Sequence, residues 1–399
     1  MQAPVADGAQ AAASHPRARL VAELLVGTLG ALALAWAWHA DLRYCERHFC
    51  FMYFANDARQ LLAARSWRIG GALVGLLLLF FVRPRVGRWA GSHPPAESLA
   101  ACGRMAVALA LAVVASEVGL RVLHLPHPKD KSKTIEVAIG EPSDRYGWLF
   151  TASKATILDH AGGRKVEYAI NAEHDRAPSV DSLPDHAKPT LLFVGESLTA
   201  GHGLPWDQTY PALVGDALGL QVVNLGVHGY GFDQQFLRLF DALPTFQHPV
   251  AIVTMYLPFM TDRMAEETHP HLELVDHEPV LEPVDGFWRR SALVRAWWML
   301  RPYRSDDPLQ LAAKIFRETG RLAQQRGAKA IFLAPNQFFG SPRRDQFLLD
   351  ELFTRQGLTV IDADFDYHPL QDDVHPDAPS TRRLADLVIA SLRTELAQP

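Results

Sequence analysis

The chain has 399 residues, a formal net charge of -5 and 48 % hydrophobic residues. Near-balanced charge with no Lys/Arg-rich run argues against a nucleic-acid partner, and the hydrophobic content is that of a globular protein. The apolar residues are unevenly spread: the first third is rich in Leu, Ala, Val and Gly, and the rest reads as a soluble domain.

Residues 1–16, rich in Ala and small polar types, read as an unstructured tail. Residues 20–38 form an apolar run broken only by Glu23 and Thr28. At about 19 residues it is long enough to cross a bilayer core. Arg17 and Arg19 would also suit a signal peptide. However, Trp36, Trp38 and His39 stand where a small-residue cleavage site would be, and tryptophans fit an interfacial belt. Further spans are expected at 67–82 and 102–123, so residues 1–125 form a membrane section. Glu117 and Arg121, four apart, can pair on one helix face near the end of the third span. Arginines fall on both sides of the spans. Those at 17, 19, 83, 85, 88 and 104 favour the N-terminus and the loop from Arg83 to Arg104 in the cytoplasm and the C-terminal domain outside it. Cys45 and Cys50 lie in a polar loop on the outer side. A disulfide and two free thiols both remain open readings, and no second ligand pair follows at zinc spacing.

Residues 126–188 read as a linker followed by a small β element. Residues 146–150 and 166–171, separated by Gly162 and Gly163, are expected to form a hairpin beside the main sheet. From 189 to 399 strands and helices alternate. Strands are expected at 190–194, 221–225, 250–256, 330–334 and 358–362. Helices are expected at 209–218, 232–242, 308–326, 345–356 and 381–396. This alternation predicts a mostly parallel five-stranded sheet covered on both faces.

Three segments carry chemistry. Leu191-Leu192-Phe193-Val194-Gly195-Glu196-Ser197-Leu198 places a serine at the carboxyl end of a buried strand, where open α/β sheets hold their sites. Asn224-Leu225-Gly226-Val227-His228-Gly229 follows the second strand, and Asp372-Asp373-Val374-His375 precedes the last helix. Together they supply a nucleophile, a base and an orienting carboxylate. Thr199 replaces the last glycine of the α/β-hydrolase elbow, and the glycines 226, 229 and 231 have neither dinucleotide nor P-loop spacing.

These blocks, in this order, resemble those of the SGNH (GDSL-like) hydrolase superfamily, in a bacterial membrane-anchored branch. The resemblance covers roughly the second half of the chain. It implies a flavodoxin-like three-layer α/β/α domain. It also implies Ser197 as nucleophile, His375 as general base and Asp372 as its orienter, with Asp373 second choice. The backbone N–H groups of Ser197 and Gly229 are implied as oxyanion donors. The family's usual Gly-x-Asn-Asp block is replaced here by a sequence ending Thr261-Asp262-Arg263. Arg263 is then a candidate oxyanion donor, the alternative being a surface pair of Asp262 with Arg263.

Other residues carry two readings each. His202 and His228 flank the expected pocket, as substrate contacts or as solvent-facing loop residues. His269, His271 and His277 are weak metal candidates in a Pro- and Glu-rich span. Trp288, Trp297 and Trp298, with Arg289, Arg290 and Arg295, read as an interfacial helix or as core residues with solvated arginines. The expected function is a membrane-anchored serine esterase or O-acyltransferase, needing no metal or cofactor and working through an acyl-serine intermediate. It would act on acyl, chiefly acetyl, esters of an acylated carbohydrate, such as an envelope or exported polysaccharide, or of another small substrate. The expected site is the bacterial inner membrane, with an acyl-donor membrane partner if the reaction is transfer. The alternative is a non-catalytic carbohydrate-binding or assembly protein that keeps the fold.

Overall fold

The computed structural model describes residues 15–41, 44, 49–50, 57–123, 139–160, 163–257, 259–264, 270–282, 291–294, 303–304, 306–335, 342–363, 367–370 and 375–397. Two compact units are formed. One comprises the described residues within 1–47, 57–126 and 291–299, and the other those within 48–56, 127–290 and 300–399.

In the first unit, α1 spans Pro16–His39, α2 spans Asp57–Leu77, α3 spans Arg83–Ser92 and α4 spans Pro95–Val122. A π-helical turn, Leu78–Val82, joins α2 to α3 without a break. Pro84 lacks an N–H and removes one helical bond, and it lies two residues after this turn. The loop expected after the second span is therefore helix, and only His93 and Pro94 separate α3 from α4. Among the described residues, three stretches, Pro16–His39, Ala64–Ser92 and Leu99–Val122, are long and apolar enough to cross a membrane. Small residues let α1 and α2 approach closely. A Cβ on Gly75 would lie 2.9 Å from the Gly30 carbonyl oxygen, and one on Gly30 would lie 3.1 Å from that of Gly75. Such backbone proximity drives helix association where lipid removes the hydrophobic incentive. Glu117 and Arg121 pair at 2.7 Å as expected. Glu117 also accepts from the N–H groups of Ala292 and Leu293, each at 2.9 Å, and from the Ser291 hydroxyl at 2.8 Å. Cys102 is a free, exposed thiol on α4. Cys45 and the Trp/Arg groups at 288–290, 295, 297 and 298 lie outside the described residues.

In the second unit, Phe49–Cys50 pairs with Tyr303–Arg304, and β1 (Gly140–Ser143) pairs with β2 (Gly147–Phe150). The main sheet then collects β3 (Lys154–His160), β4 (Arg164–Ile170), β5 (Arg176–Ala177), β6 (Pro189–Val194), β7 (Gln221–Asn224), β8 (His248–Met255), β11 (Lys329–Pro335) and β12 (Val360–Ala363). A separate hairpin, β9 (His271–Val275) with β10 (Glu278–Glu282), interrupts this series. The sheet order is β12-β11-β8-β6-β7-β5-β4-β3. Its parallel part, taken in chain order of its own strands, runs 2-1-3-4-5. That is the flavodoxin-like order, with the topological switch between β6 and β8.

The hairpin differs from expectation in two ways. Its arms are β3 and β4 rather than 146–150 and 166–171, because residues 147–150 find a partner in 140–143. It also lies within the main sheet rather than beside it. The short β5 pairs with β4 on one side and, at Arg176, with Asn224 of β7 on the other, so the sheet continues through it.

The five parallel strands lie where the apolar runs predicted them. Side chains alternate along β6: Leu191 and Phe193 join one core cluster, and Leu192 and Val194 the other. Helices α6 (Tyr210–Leu218) and α11 (Ala378–Leu396) pack together, as do α7 (Phe232–Ala242) and α9 (Asp306–Gln325). Phe193 meets Tyr210 of α6 edge-on at 5.4 Å, and Phe316 of α9 meets Phe332 of β11 at 5.6 Å. Helices thus cover both faces of the sheet and complete three layers.

Candidate active site

The buried strand β6 is followed by Gly195, where a Cβ would collide with the Thr199 side chain. Glu196 caps the next helix, α5 (Ser197–Ala200), its carboxylate accepting from the Leu198 N–H at 3.0 Å. Ser197 is therefore the first helical residue, at the carboxyl end of β6 beside the switch point. Its N–H has no acceptor within the helix. Gly201, at φ 77°, turns the chain after one helical turn, a conformation that favours glycine.

His375 arrives from the other end of the chain. Its segment is closed by the bridge between Pro369 and Pro376, and its carbonyl accepts from Leu370 N–H at 2.7 Å. Its Nε2 lies 2.7 Å from Ser197 Oγ. The same Oγ also donates to Glu196 Oε2. One hydroxyl proton thus has two acceptors in reach and serves one at a time. Asp372 and Asp373 lie outside the described residues.

Arg263, at the end of α8 (Phe259–Arg263), points its Nη1 at Glu196 Oε2 across 3.4 Å. Among the described residues, its partner is thus the acid beside the nucleophile. Glu196 is 1 % exposed. Burial alone raises its pKa, but Arg263, His375, the Ser197 hydroxyl and the Leu198 N–H outweigh it, and the carboxyl titrates below its ordinary range.

The loop after β7 presses onto α5. Asn224 Nδ2 donates to the Thr199 carbonyl at 2.7 Å, and its Oδ1 accepts from Gly226 N–H at 3.0 Å. A Cβ on Gly226 would lie 2.6 Å from Ala200 N, so only glycine permits this approach. Gly229 takes φ 80°. The β1–β2 ladder braces this loop: the Trp148 indole donates to the His228 carbonyl at 2.9 Å, and Tyr230 Oη donates to the Trp148 carbonyl at 2.6 Å.

Residues that sequence reasoning missed support the nucleophile from the hairpin side. Arg176, 1 % exposed, stacks on the Tyr168 ring at 3.8 Å. It donates to the carbonyls of Ala200 (2.8 Å), Gly201 (2.7 Å) and Leu204 (2.6 Å). Tyr168 Oη accepts from Gly203 N–H at 2.6 Å. A charged residue in a two-residue strand gives no periodic signal, so only the structure reveals this clamp.

His228 is buried rather than solvent-facing, at 1 % exposure, and neither ring nitrogen has a hydrogen-bond partner among the described residues. Burial drives its pKa well below the usual histidine value, with His202, His375, Arg176 and His160 adding to the effect. His202 is half-buried and stacks on His375. Of the metal candidates, His271 opens β9, His277 Nδ1 lies 2.9 Å from Glu318 Oε2, and His269 lies outside the described residues.

No family model matches the chain, and no curated protein matches it. Solved structures similar to it include TesA, at 17 % identity and TM-score 0.34, covering 51 % of this chain and 98 % of that one. A second is the SGNH-hydrolase family esterase AlinE4, at 18 % identity and TM-score 0.28, covering 55 % of this chain and 100 % of that one. A third is a member of the lipolytic protein G-D-S-L family from Veillonella parvula, at 12 % identity and TM-score 0.32, covering 50 % of this chain and 96 % of that one.

Proposed function

We propose that this chain is a membrane-anchored serine hydrolase of the SGNH type, an esterase or O-acyltransferase that works through an acyl-Ser197 intermediate. The observation that carries the reading is the 2.7 Å approach of His375 Nε2 to Ser197 Oγ, from segments 178 residues apart. In the proposed cycle, His375 takes the Ser197 proton as Oγ attacks the ester carbonyl. The N–H groups of Ser197 and Gly229 receive the developing oxyanion, a donor of this kind being worth about 3 kcal/mol. His375 returns the proton to the departing alcohol, leaving the acyl group on Ser197. Water or a sugar hydroxyl, deprotonated by the same imidazole, then takes that group and frees the serine. Asp372 is the proposed orienter of His375.

The proposed substrates are acyl esters, chiefly acetyl, on an envelope or exported polysaccharide. The proposed location is the bacterial inner membrane, with the catalytic domain outside the cytoplasm. The long apolar helices support the membrane part of the reading. A transferase would draw its acyl groups from a membrane partner.

The test is p-nitrophenyl acetate turnover and fluorophosphonate labelling of the full chain in detergent. The wild type should turn over substrate and take label, and Ser197→Ala should do neither. Equal rates in the two would remove Ser197 from the mechanism. A folded wild type that takes no label would favour a carbohydrate-binding role.

A further inference from the structure

We propose that His202 is a positioning residue for His375, setting the plane of the base by ring stacking. The inference rests on the serine chemistry proposed above. The two imidazoles lie face to face, with centroids 3.9 Å apart and planes 20° apart. The backbone N–H of His202 donates to the carbonyl of Ser197 itself at 2.9 Å. The surface on which the base rests is thus tied to the nucleophile's own backbone.

The turn that carries His202 is fixed at every neighbouring residue. Gly201 and Gly203 take φ 77° and 69° on either side of it. Arg176 binds the carbonyls of Ala200, Gly201 and Leu204, and Tyr168 Oη takes the Gly203 N–H. Arg164 Nη1 donates to the Gly203 carbonyl at 3.0 Å. The segment that carries His375 packs against this turn, since a Cβ on Gly203 would come within 2.6 Å of Leu370 Cδ1. His202 is also held edge-on by His160, at 5.0 Å and 88°, and by His228, at 5.1 Å and 77°. The ring beneath the base therefore has little freedom to tilt. A base that must meet a hydroxyl proton in line gains from a fixed plane, because small misplacements of catalytic groups carry large rate penalties.

The experiment uses the full chain in detergent micelles and compares wild type, Ser197→Ala, His202→Ala and His202→Phe. It reads kcat and KM for p-nitrophenyl acetate, the rate of fluorophosphonate labelling, and the melting temperature. His202→Ala should lower kcat and the labelling rate by about 10- to 100-fold. Its KM should stay within about twofold, the signature of an effect on chemistry rather than binding. His202→Phe replaces the ring without its nitrogens and should recover kcat to within about threefold of wild type. Wild-type kcat in His202→Ala, beside an inactive Ser197→Ala, would overturn the role of His202 alone. So would a His202→Phe no faster than His202→Ala when both melt like wild type. Labelling of Ser197→Ala at the wild-type rate would overturn the serine reading, and this inference with it.

Discussion

The guanidinium of Arg263 stands 3.4 Å from the carboxylate of Glu196, which in turn accepts the hydroxyl proton of Ser197. Arg263 is 29 % exposed and Glu196 is 1 % exposed, so the pair sits at the wall between core and solvent. Removing the arginine strands a buried carboxylate. Arg263→Met should destabilise the protein by about 2 kcal/mol. Glu196→Gln together with Arg263→Met should recover about half of that loss, since the uncompensated charge is gone. Chemical denaturation of the single and double variants measures the coupling, and strict additivity would show that the pair does not interact.

Arg176 offers a second test. Its guanidinium serves three carbonyls of the nucleophile's turn and stacks on Tyr168. Arg176→Met leaves those carbonyls buried and should cost about 3 kcal/mol or more. Arg176→Lys should recover only part, because an ammonium lacks the planar fork. The readouts are thermal melting and p-nitrophenyl acetate turnover. Unchanged melting in Arg176→Met would mean that the clamp contributes nothing.

His228 predicts a pH dependence. Its folded-state pKa is depressed, so the unfolded chain binds a proton that the native state refuses. The stability it contributes is present above the ordinary histidine pKa, about 6.5, and is lost as pH falls below it at about 1.4 kcal/mol per pH unit. Asp175 acts in the opposite sense. Burial outweighs its pairing with Arg238 and raises its pKa to about 6, so its contribution grows as pH falls from that value toward the ordinary carboxylate range. Comparing wild type with His228→Phe isolates the histidine. The stability difference between them should shift in favour of the variant as pH drops from about 7.5 to about 5.5. Parallel pH curves for the two proteins would contradict a buried neutral His228.

In the helical unit, the mutual approach of Gly30 and Gly75 leaves no room for a branched side chain. Gly75→Val should loosen α1 from α2 and destabilise the unit by about 1–3 kcal/mol. Gly70, whose Cβ would meet nothing within 4 Å, is the control: Gly70→Val should be close to neutral. Unfolding in detergent with increasing SDS distinguishes the two.

The parallel sheet was legible because its strands are apolar runs flanked by turn residues and, along the chain, separated by helices. Ser197 and His375 were legible because a serine after β6 and a histidine before α11 occupy ends of elements, where position follows from the fold. The supporting residues were not. Arg176 reaches carbonyls 24 or more residues away and lies in no periodic pattern, and His202, though placed beside the pocket by the sequence, stacks on a histidine from the far end of the chain. Glu196 stood beside Ser197 in the first of the three segments, yet its pairing with Arg263 depends on how α8 returns to the sheet, which local sequence does not encode. The hairpin was misplaced for a related reason. Residues 147–150 pair instead with 140–143, and only the two-residue β5 decides that β3 and β4 join the sheet.

That junction also decides where the sheet is left open. Without β3, β4 and β5, the rim would be Gln221–Asn224, a short stretch with unpaired amides beside the serine. With them, the rim among the described residues is Lys154–His160, which alternates partly buried with exposed residues and carries Lys154 and Asp159. Charges on a free rim discourage another chain from zipping onto it. A shortened protein beginning at Pro189 would lose this protection, and it is expected to self-associate by strand addition even where its catalytic centre is intact.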